Sequence, residues 1–469
     1  MSQASACEAW AAKEFGQAQL GDVRRTLRAV EMGASAAAAP AGPLTQAFPD
    51  AAERQAAYKL MEGGHAPASA LARAAAGAAW SRVRPGAPYA VVPVDGSTLS
   101  VASARAAQGF GPVGTRGVKS LGLEAMSALL VSQRGVPLGL AAQALWTRGA
   151  PARGLSESQK RARPLEERET RYWLQVLQAA CEAWRASGSP VVPWFQLDAG
   201  ADARDVLHWA VWEAQGAWVT VRSGQQRCVQ WPEEGLLWDG VQKLPVAGHY
   251  ALKVPAGEKR CARRAHIAVR FSPVVVQLRC PSSGACVPVA LFAVHAREEG
   301  SCPRGEAPIE WLLLTTRPVH GFQGAREVLR AYALRWRVEE VHRSWKSGCG
   351  VERSGLKARA FASWATVLFC VAVRIERLKR LARETPEVPA SDEFSPHEVR
   401  ALLLLKKQGA LYARGHVPTL GEAVLWLAQL GGYTGKSSGG PPGATVLKRG
   451  LDKLAPVAAA LRFQEELGK

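Results

Sequence analysis

With 469 residues, 48% of them hydrophobic and 21% charged, the chain is long enough for two or three domains with proper cores. Its charge balance is unusual: 59 Lys and Arg against 40 Asp and Glu leave +19, which points to a polyanion, nucleic acid ahead of an anionic membrane surface. No uncharged apolar run approaches the roughly 18 residues that span a bilayer, and Cys7, Glu8 and Trp10 lead into a mixed-charge stretch unlike a signal peptide.

Residues 1–72 read as short helices, over 10–20, from 22 onward and over 53–61, with Asp22 as an N-cap. Arg24, Arg25 and Arg28 fall on adjacent turns of the second helix, and the Ala/Gly/Pro tract 33–43 reads as a loop. From Pro88 the pattern turns to strands. Residues 89–94 form an apolar run ending at Asp95-Gly96, and runs 121–131 and 136–146 flank a turn at Gln133-Arg134-Gly135. A helix over 165–186 precedes a buried strand, 190–197, that ends at Asp198. Three strands, a helix and a further strand, with carboxylates at strand ends, is the order of an RNase H-like α/β sheet. Strand-like pieces at 217–221, 249–254, 267–271, 274–278, 287–294 and 311–316 then read as a β-rich insertion over about 205–315, with a basic cluster at Lys259, Arg260, Arg263 and Arg264. After Ala325 the chain reads as helical to about Arg383, followed by a Pro/Ser/Glu-rich linker (384–395) and apolar helical periods at 399–405, 420–430 and 447–461. Nine cysteines scattered from Cys7 to Cys370 fit free thiols in a reducing cytosol, and the spacing of Cys280 and Cys286 does not suit zinc.

The segment Tyr332-x2-Arg335-x3-Glu339-x6-Lys346 carries the most information. At about 100° per residue its four named positions fall within roughly 60° of one another on one helix, and Arg343 joins that face. Such a stripe is ordinarily an intrahelical salt-bridge cluster, and an Asp where a strand meets a turn is ordinarily structural. The combination reads differently. Two carboxylates on neighbouring strands and a third on a packed helix supply the hard oxygen ligands that two-metal phosphoryl transfer requires, and the surrounding cations can hold phosphates.

These residues resemble the YREK signature of the Tn5-like (insertion-sequence family four) DDE transposases, with all four letters and spacings met. The resemblance runs along most of the chain. Leu20-Gly-Asp-x-Arg-Arg-Thr26 is similar to the family's N-terminal DNA-binding region, Val94-Asp-x-x-x-Leu-Ser100 to its first-aspartate strand and Trp311-Leu-Leu-Leu-Thr-Thr316 to the strand before the glutamate helix. Phe-Cys-Val-Ala-Val-Arg over 369–374 and Leu430-Gly-Gly-Tyr433 match its C-terminal landmarks. Two departures stand out. The chain has Asp198-Ala-Gly-Ala-Asp202 where the family commonly has Asp-Arg-Glu-x-Asp, and Lys436-Ser-Ser-Gly where more basic residues are usual.

The resemblance implies an α-helical N-terminal DNA-binding domain (1–72), an RNase H-like DDE catalytic domain with its β insertion (73–383) and an α-helical C-terminal dimerisation domain (384–469). It implies Asp95, Asp198 and Glu339 as catalytic residues holding two Mg²⁺ or Mn²⁺ ions. Tyr332, Arg335 and Lys346 would contact the transposon end, with Arg343, Arg24, Arg25 and Arg28 as further DNA contacts. Trp311 would stack on a base flipped from the duplex, its ordinary alternative being a buried strand aromatic. The implied activity is cut-and-paste transposition in the bacterial nucleoid, by a homodimer in a synaptic complex, on transposon ends and target DNA with no membrane partner. Strands are cleaved through a DNA hairpin and then joined to target. Alternatives are a relative that only binds DNA, and a metal-dependent nuclease without strand transfer.

Overall fold

The computed structural model describes residues 6–101, 108–114, 120–149, 156, 159, 163–230, 234–257, 260–280, 283–300, 302–408, 416–435 and 440–467. Lys259 and the 436–439 stretch singled out above lie outside them. The chain opens with helices α1 (Ala6–Phe15), α2 (Val23–Ala38), α3 (Leu44–Ala47), α4 (Ala51–Glu62) and α5 (Ala68–Ser81). Asp22 caps α2 as its sequence predicts, accepting from the Arg24 N–H at 2.8 Å. The boundaries differ from expectation. α1 stops at Phe15, and α2 runs on through Gly33 to Ala38, into the tract that reads as a loop. Alanine is the best helix former, and Gly33 lies where α2 crosses α1: a Cβ there would sit 2.6 Å from the Phe15 ring.

One twelve-stranded sheet forms the centre: β1 (Tyr89–Val101), β2 (Gly111–Val113), β3 (Ser120–Val131), β4 (Pro137–Trp146), β5 (Val192–Leu197), β6 (Trp218–Arg222), β7 (Cys228–Val229), β8 (Gly235–Leu236), β9 (Gly248–Val254), β10 (Arg263–Arg279), β11 (Cys286–Glu299) and β12 (Glu310–Thr315). The order is β2-β3-β1-β5-β6-β12-β11-β10-β7-β8, with β4 also on β3 and β9 on β10. β3 runs antiparallel to β1 and β4, whereas β5 and β6 run parallel to β1 and to each other. Helix α6 (Thr170–Ser187) links β4 to β5, burying Trp173, Leu174, Val176 and Leu177. α5 lies on β4, where Gly139 leaves room for Ala79; a Cβ on Gly139 would meet the Ala79 Cβ at 2.4 Å.

Two strand expectations are corrected. β1 does not end at Asp95 but continues to Val101, because residues 95–101 keep antiparallel partners on β3 after the parallel pairing with β5 has stopped at Val94↔Leu197. The pieces 267–271 and 274–278 are one strand, β10, which passes through Pro273. Pro273 falls between the stretches paired to β9 and β7, where a missing N–H is tolerated at an edge. Helices α7 (Arg204–Trp212) and α8 (Leu237–Lys243) also lie in this region, which periodicity alone marked as strands.

After β12 come α9 (Gly321–Ala333), α10 (Trp336–Arg343), a π-helical turn (Ser344–Gly348), a 3-10 turn (Val351–Arg353) and α11 (Ala358–Glu384). The single helix expected here is thus interrupted. α11 is long and apolar enough to cross a membrane, yet most of it is buried in the fold. Its Trp364 Nε1 donates to Gly42 O at 2.7 Å and its Ser363 Oγ to Ala66 O at 2.7 Å, tying it to the N-terminal helices. Helices α12 (Pro396–Leu405), α13 (Leu420–Leu430) and α14 (Ala444–Leu467) close the chain, the first two started by capping boxes at Ser395/Glu398 and Thr419/Glu422. The result is a mixed α/β protein with helical regions before and after a central sheet. Each of the nine cysteines keeps its thiol outside a disulfide.

Candidate active site

The parallel register decides where the two aspartates go. Val94 on β1 is opposite Leu197 on β5, so the next residue of each strand, Asp95 and Asp198, emerges at the same end of adjacent strands. Asp198 leaves β5 as the cap of a 3-10 turn (Ala199–Ala201), accepting from the Gly200 N–H at 2.8 Å. Asp95 accepts from its neighbour's N–H, Gly96, at 2.8 Å.

Arg335 brings the third carboxylate in. It sits in the break between α9 and α10, where its Nη1 donates to Asp95 Oδ2 at 2.8 Å and its Nη2 to Glu339 Oε1 at 2.5 Å. Burial pushes the Asp95 carboxyl up to about 6; Arg335 opposes the rise, and the nearby charges of Asp198 and Glu339 add to it. The three carboxylates therefore feel one another, and one guanidinium offsets part of their repulsion. Hard oxygen donors of this kind suit Mg²⁺ or Mn²⁺. As the side chains stand, no group of three His, Cys, Asp or Glu among the described residues is placed to hold a metal ion.

Of the other members of the stripe, Tyr332 stays beside Arg335 and feels the charge of Asp198, whereas Lys346 is turned elsewhere. Tyr332 is buried, its hydroxyl pushed up by burial, and its ring meets Trp311 edge-on at 5.2 Å. Lys346 rides on the π-helical turn, donating from Nζ to Thr98 O at 2.9 Å and lying 3.7 Å from Glu352. The single-face projection fails at Lys346 for a physical reason: α9 ends at Ala333, α10 begins at Trp336, and the π turn closes with Cys349 N–H on Ser344 O. Arg343 is exposed.

The remaining predicted DNA contacts divide. Arg24 on α2 is exposed and Arg28 half-buried, and each already faces a carboxylate, Asp22 at 2.9 Å and Glu31 at 2.6 Å. Arg25 donates to Leu20 O at 3.2 Å. Arg263 of the basic cluster is held by Glu298 at 2.7 Å and Glu306 at 2.5 Å, so its charge is committed within the sheet. Arg260, by contrast, lines an open cavity of about 660 Å³ beside Trp311, together with Arg222, Lys253 and Trp238. Trp311 is half-buried, one edge on Tyr332 and part of its surface in this cavity.

Several residues here were not legible in the sequence. Glu352 accepts from the Ser100 N–H at 2.8 Å and faces Lys346, anchoring β1 beyond Asp95. Asp202, the retained member of the departed motif, is buried and accepts from the Gly224 and Gln225 N–H groups and from Arg227 at 2.5 Å. It thus holds the loop after β6. His342 is buried among Trp345 and Phe369 and held neutral, burial pushing it down to about 3. The unfolded chain takes up a proton near pH 6.5 while the folded chain does not, so stability is complete above that value and falls with pH toward 3. One proton amounts to about 1.4 kcal/mol per pH unit. Urea midpoints at pH 7, 6 and 5 should fall less steeply in His342→Gln than in the parent; parallel curves would place the acid sensitivity elsewhere.

The family profile described as transposase DNA-binding matches residues 7–65, and that of the transposase Tn5 dimerisation domain matches residues 370–467. Both matches support a Tn5-like transposase. The two matched segments flank the carboxylates without containing them. Among solved structures, the chain resembles a piggyBac transposase synaptic complex with hairpin DNA at 8% identity, over 82% of this chain and 55% of that one, with a TM-score of 0.33. It spans about half the length of that protein, and the likeness is too slight to carry any residue role across.

Proposed function

We propose that this Tn5-like transposase is a metal-dependent enzyme of DNA strand cleavage and strand transfer, with Asp95, Asp198 and Glu339 as its catalytic carboxylates in an RNase H-like core. The observation that carries the proposal is the register Val94↔Leu197, with Arg335 joining Asp95 to Glu339. The order β4-β3-β1-β5-β6, with β3 alone reversed relative to its neighbours, supports the RNase H-like reading.

Asp95, Asp198 and Glu339 would hold two Mg²⁺ or Mn²⁺ ions, which when bound activate water and offset charge on the scissile phosphate. The chain's own residues do the rest. Arg335 can pair bidentately with a phosphate, Lys346 adds a point charge beside β1, and Trp311 offers an aromatic face to an unstacked base. Cleavage frees a 3′-hydroxyl, that hydroxyl attacks the opposite strand to form a hairpin, the hairpin is reopened, and the end is joined to target DNA. The substrate is double-stranded DNA at transposon ends, engaged by a homodimer through the N- and C-terminal regions.

A strand-transfer assay tests this. Inverted repeats flanking the gene supply the labelled end, and joined product in a target plasmid with Mg²⁺ is the expected result. Cleavage without joining would indicate a nuclease, and binding without cleavage a DNA-binding relative. Binding should also depend steeply on salt, since Arg24, Arg25, Arg28, Arg335, Arg343 and Lys346 would face phosphates. About six such contacts give a slope near −5 in log K against log[salt]. A flat plot of anisotropy-derived affinities would mean that the positive charge is only a solvated surface.

A further inference from the structure

We infer that Arg335 is a resident counter-cation that occupies the three-carboxylate centre until DNA draws it away, so that divalent metal and DNA engage together. This rests on reading Asp95, Asp198 and Glu339 as metal ligands.

Arg335 spans Asp95 and Glu339 with one hydrogen bond to each, and its side chain is 15% exposed. The donors it uses are spent on the oxygens a metal would need. In this arrangement no three acidic, His or Cys side chains among the described residues converge on a common point. The backbone positions, however, are already set, by the β1–β5 register for the aspartates and by α10 for the glutamate. Arg335 lies outside both flanking helices, so its guanidinium can swing without breaking a helical hydrogen bond of α9 or α10.

Neither of the nearby cations of the same stripe replaces it. Lys346 is turned to Thr98 O and Glu352, and Arg343 is exposed. A metal ion entering alone would leave the guanidinium, partly buried, without its partners, which is unfavourable. A DNA phosphate changes the balance because it accepts two N–H bonds in the same geometry as a carboxylate. Metal and DNA therefore each relieve a cost imposed on the other. Such coupling is reciprocal by linkage. It also keeps a hydrolytic centre closed in protein that has no DNA.

The test is Mn²⁺ binding by the full-length protein without DNA, read from the electron paramagnetic resonance of free Mn²⁺. Arg335→Ala should bind Mn²⁺ at least about tenfold more tightly than the parent, whereas Arg400→Ala, at an exposed position of α12, should not change binding. Adding Asp95→Asn to Arg335→Ala should remove the gain. A non-specific 20-base-pair duplex should tighten Mn²⁺ binding in the parent and do so much less in Arg335→Ala. Should Arg335→Ala fold poorly by thermal melting, Arg335→Gln removes the charge with less loss of packing and carries the same expectation. Equal binding by parent and Arg335 variants, abolished by Asp95→Asn, would overturn the counter-cation role and leave the metal reading standing. Binding by none of them would overturn both.

Discussion

Asp95→Asn, Asp198→Asn and Glu339→Gln should each abolish DNA cleavage, by about a thousandfold or more, while transposon-end binding is kept. Each change replaces a charged oxygen donor by an amide of nearly the same shape, so the loss falls on metal-assisted attack rather than on packing. A thousandfold corresponds to about 4 kcal/mol of transition-state stabilisation. The three variants differ in their side effects. Asn at 198 can still accept from the Gly200 N–H and cap the 3-10 turn, so that variant should melt like the parent. Asn at 95 and Gln at 339 each weaken one arm of Arg335, so a small fall in melting temperature is expected there. Gel assays of nicking, run beside filter binding of the same labelled end, check the set. A variant that nicks within tenfold of the parent removes its residue from the triad.

Part of the candidate site's geometry was legible, and part was not. The spacing 332/335/339/346 named Arg335 and Glu339, which do meet Asp95. It also placed Tyr332 and Lys346 beside them; Tyr332 does lie beside Arg335, but Lys346 is turned away to Thr98 O and Glu352. Nothing local announces the breaks, because the stretch from 332 to 346 holds neither Gly nor Pro. They are bound up with tertiary contacts. Trp345 Nε1 donates to Ala365 O at 2.9 Å and Ser344 Oγ to Glu376 at 2.5 Å, holding the π turn against α11. Strand pairing escaped for a similar reason. An apolar run reveals a strand but not its partner, so Asp95 looked like a strand end when it is the point where β1 loses its parallel neighbour and keeps its antiparallel one. The helix extending to Ala38 and the committed Arg263 likewise depend on residues far away in the chain, Phe15 in one case and Glu298 and Glu306 in the other.

Trp311→Ala should separate hairpin formation from first-strand nicking. On the proposed mechanism nicking requires the carboxylates and a positioned phosphate, whereas the ring contact of Trp311 is with Tyr332. Hairpin formation bends the 3′-hydroxyl toward the opposite strand, which requires a neighbouring base to leave the stack. The open cavity beside Trp311, with Trp238 on its wall and Arg222, Lys253 and Arg260 around it, has the aromatic and cationic lining that an unstacked nucleotide needs. Loss of one base–aromatic stack is worth roughly 1–3 kcal/mol, so hairpin formation should slow by about ten- to a hundredfold while nicking stays near the parent rate. The edge-on contact with Tyr332 supplies the competing explanation, because removing the indole also uncovers a buried phenol. Tyr332→Phe keeps that ring contact and serves as the control for packing. A gel time course of nicked, hairpin and resolved products on a labelled end in Mg²⁺ distinguishes the cases. If nicking and hairpin formation fall together in Trp311→Ala, the indole is a core residue that steadies β12 and α9; if neither changes, the unstacked base is received elsewhere.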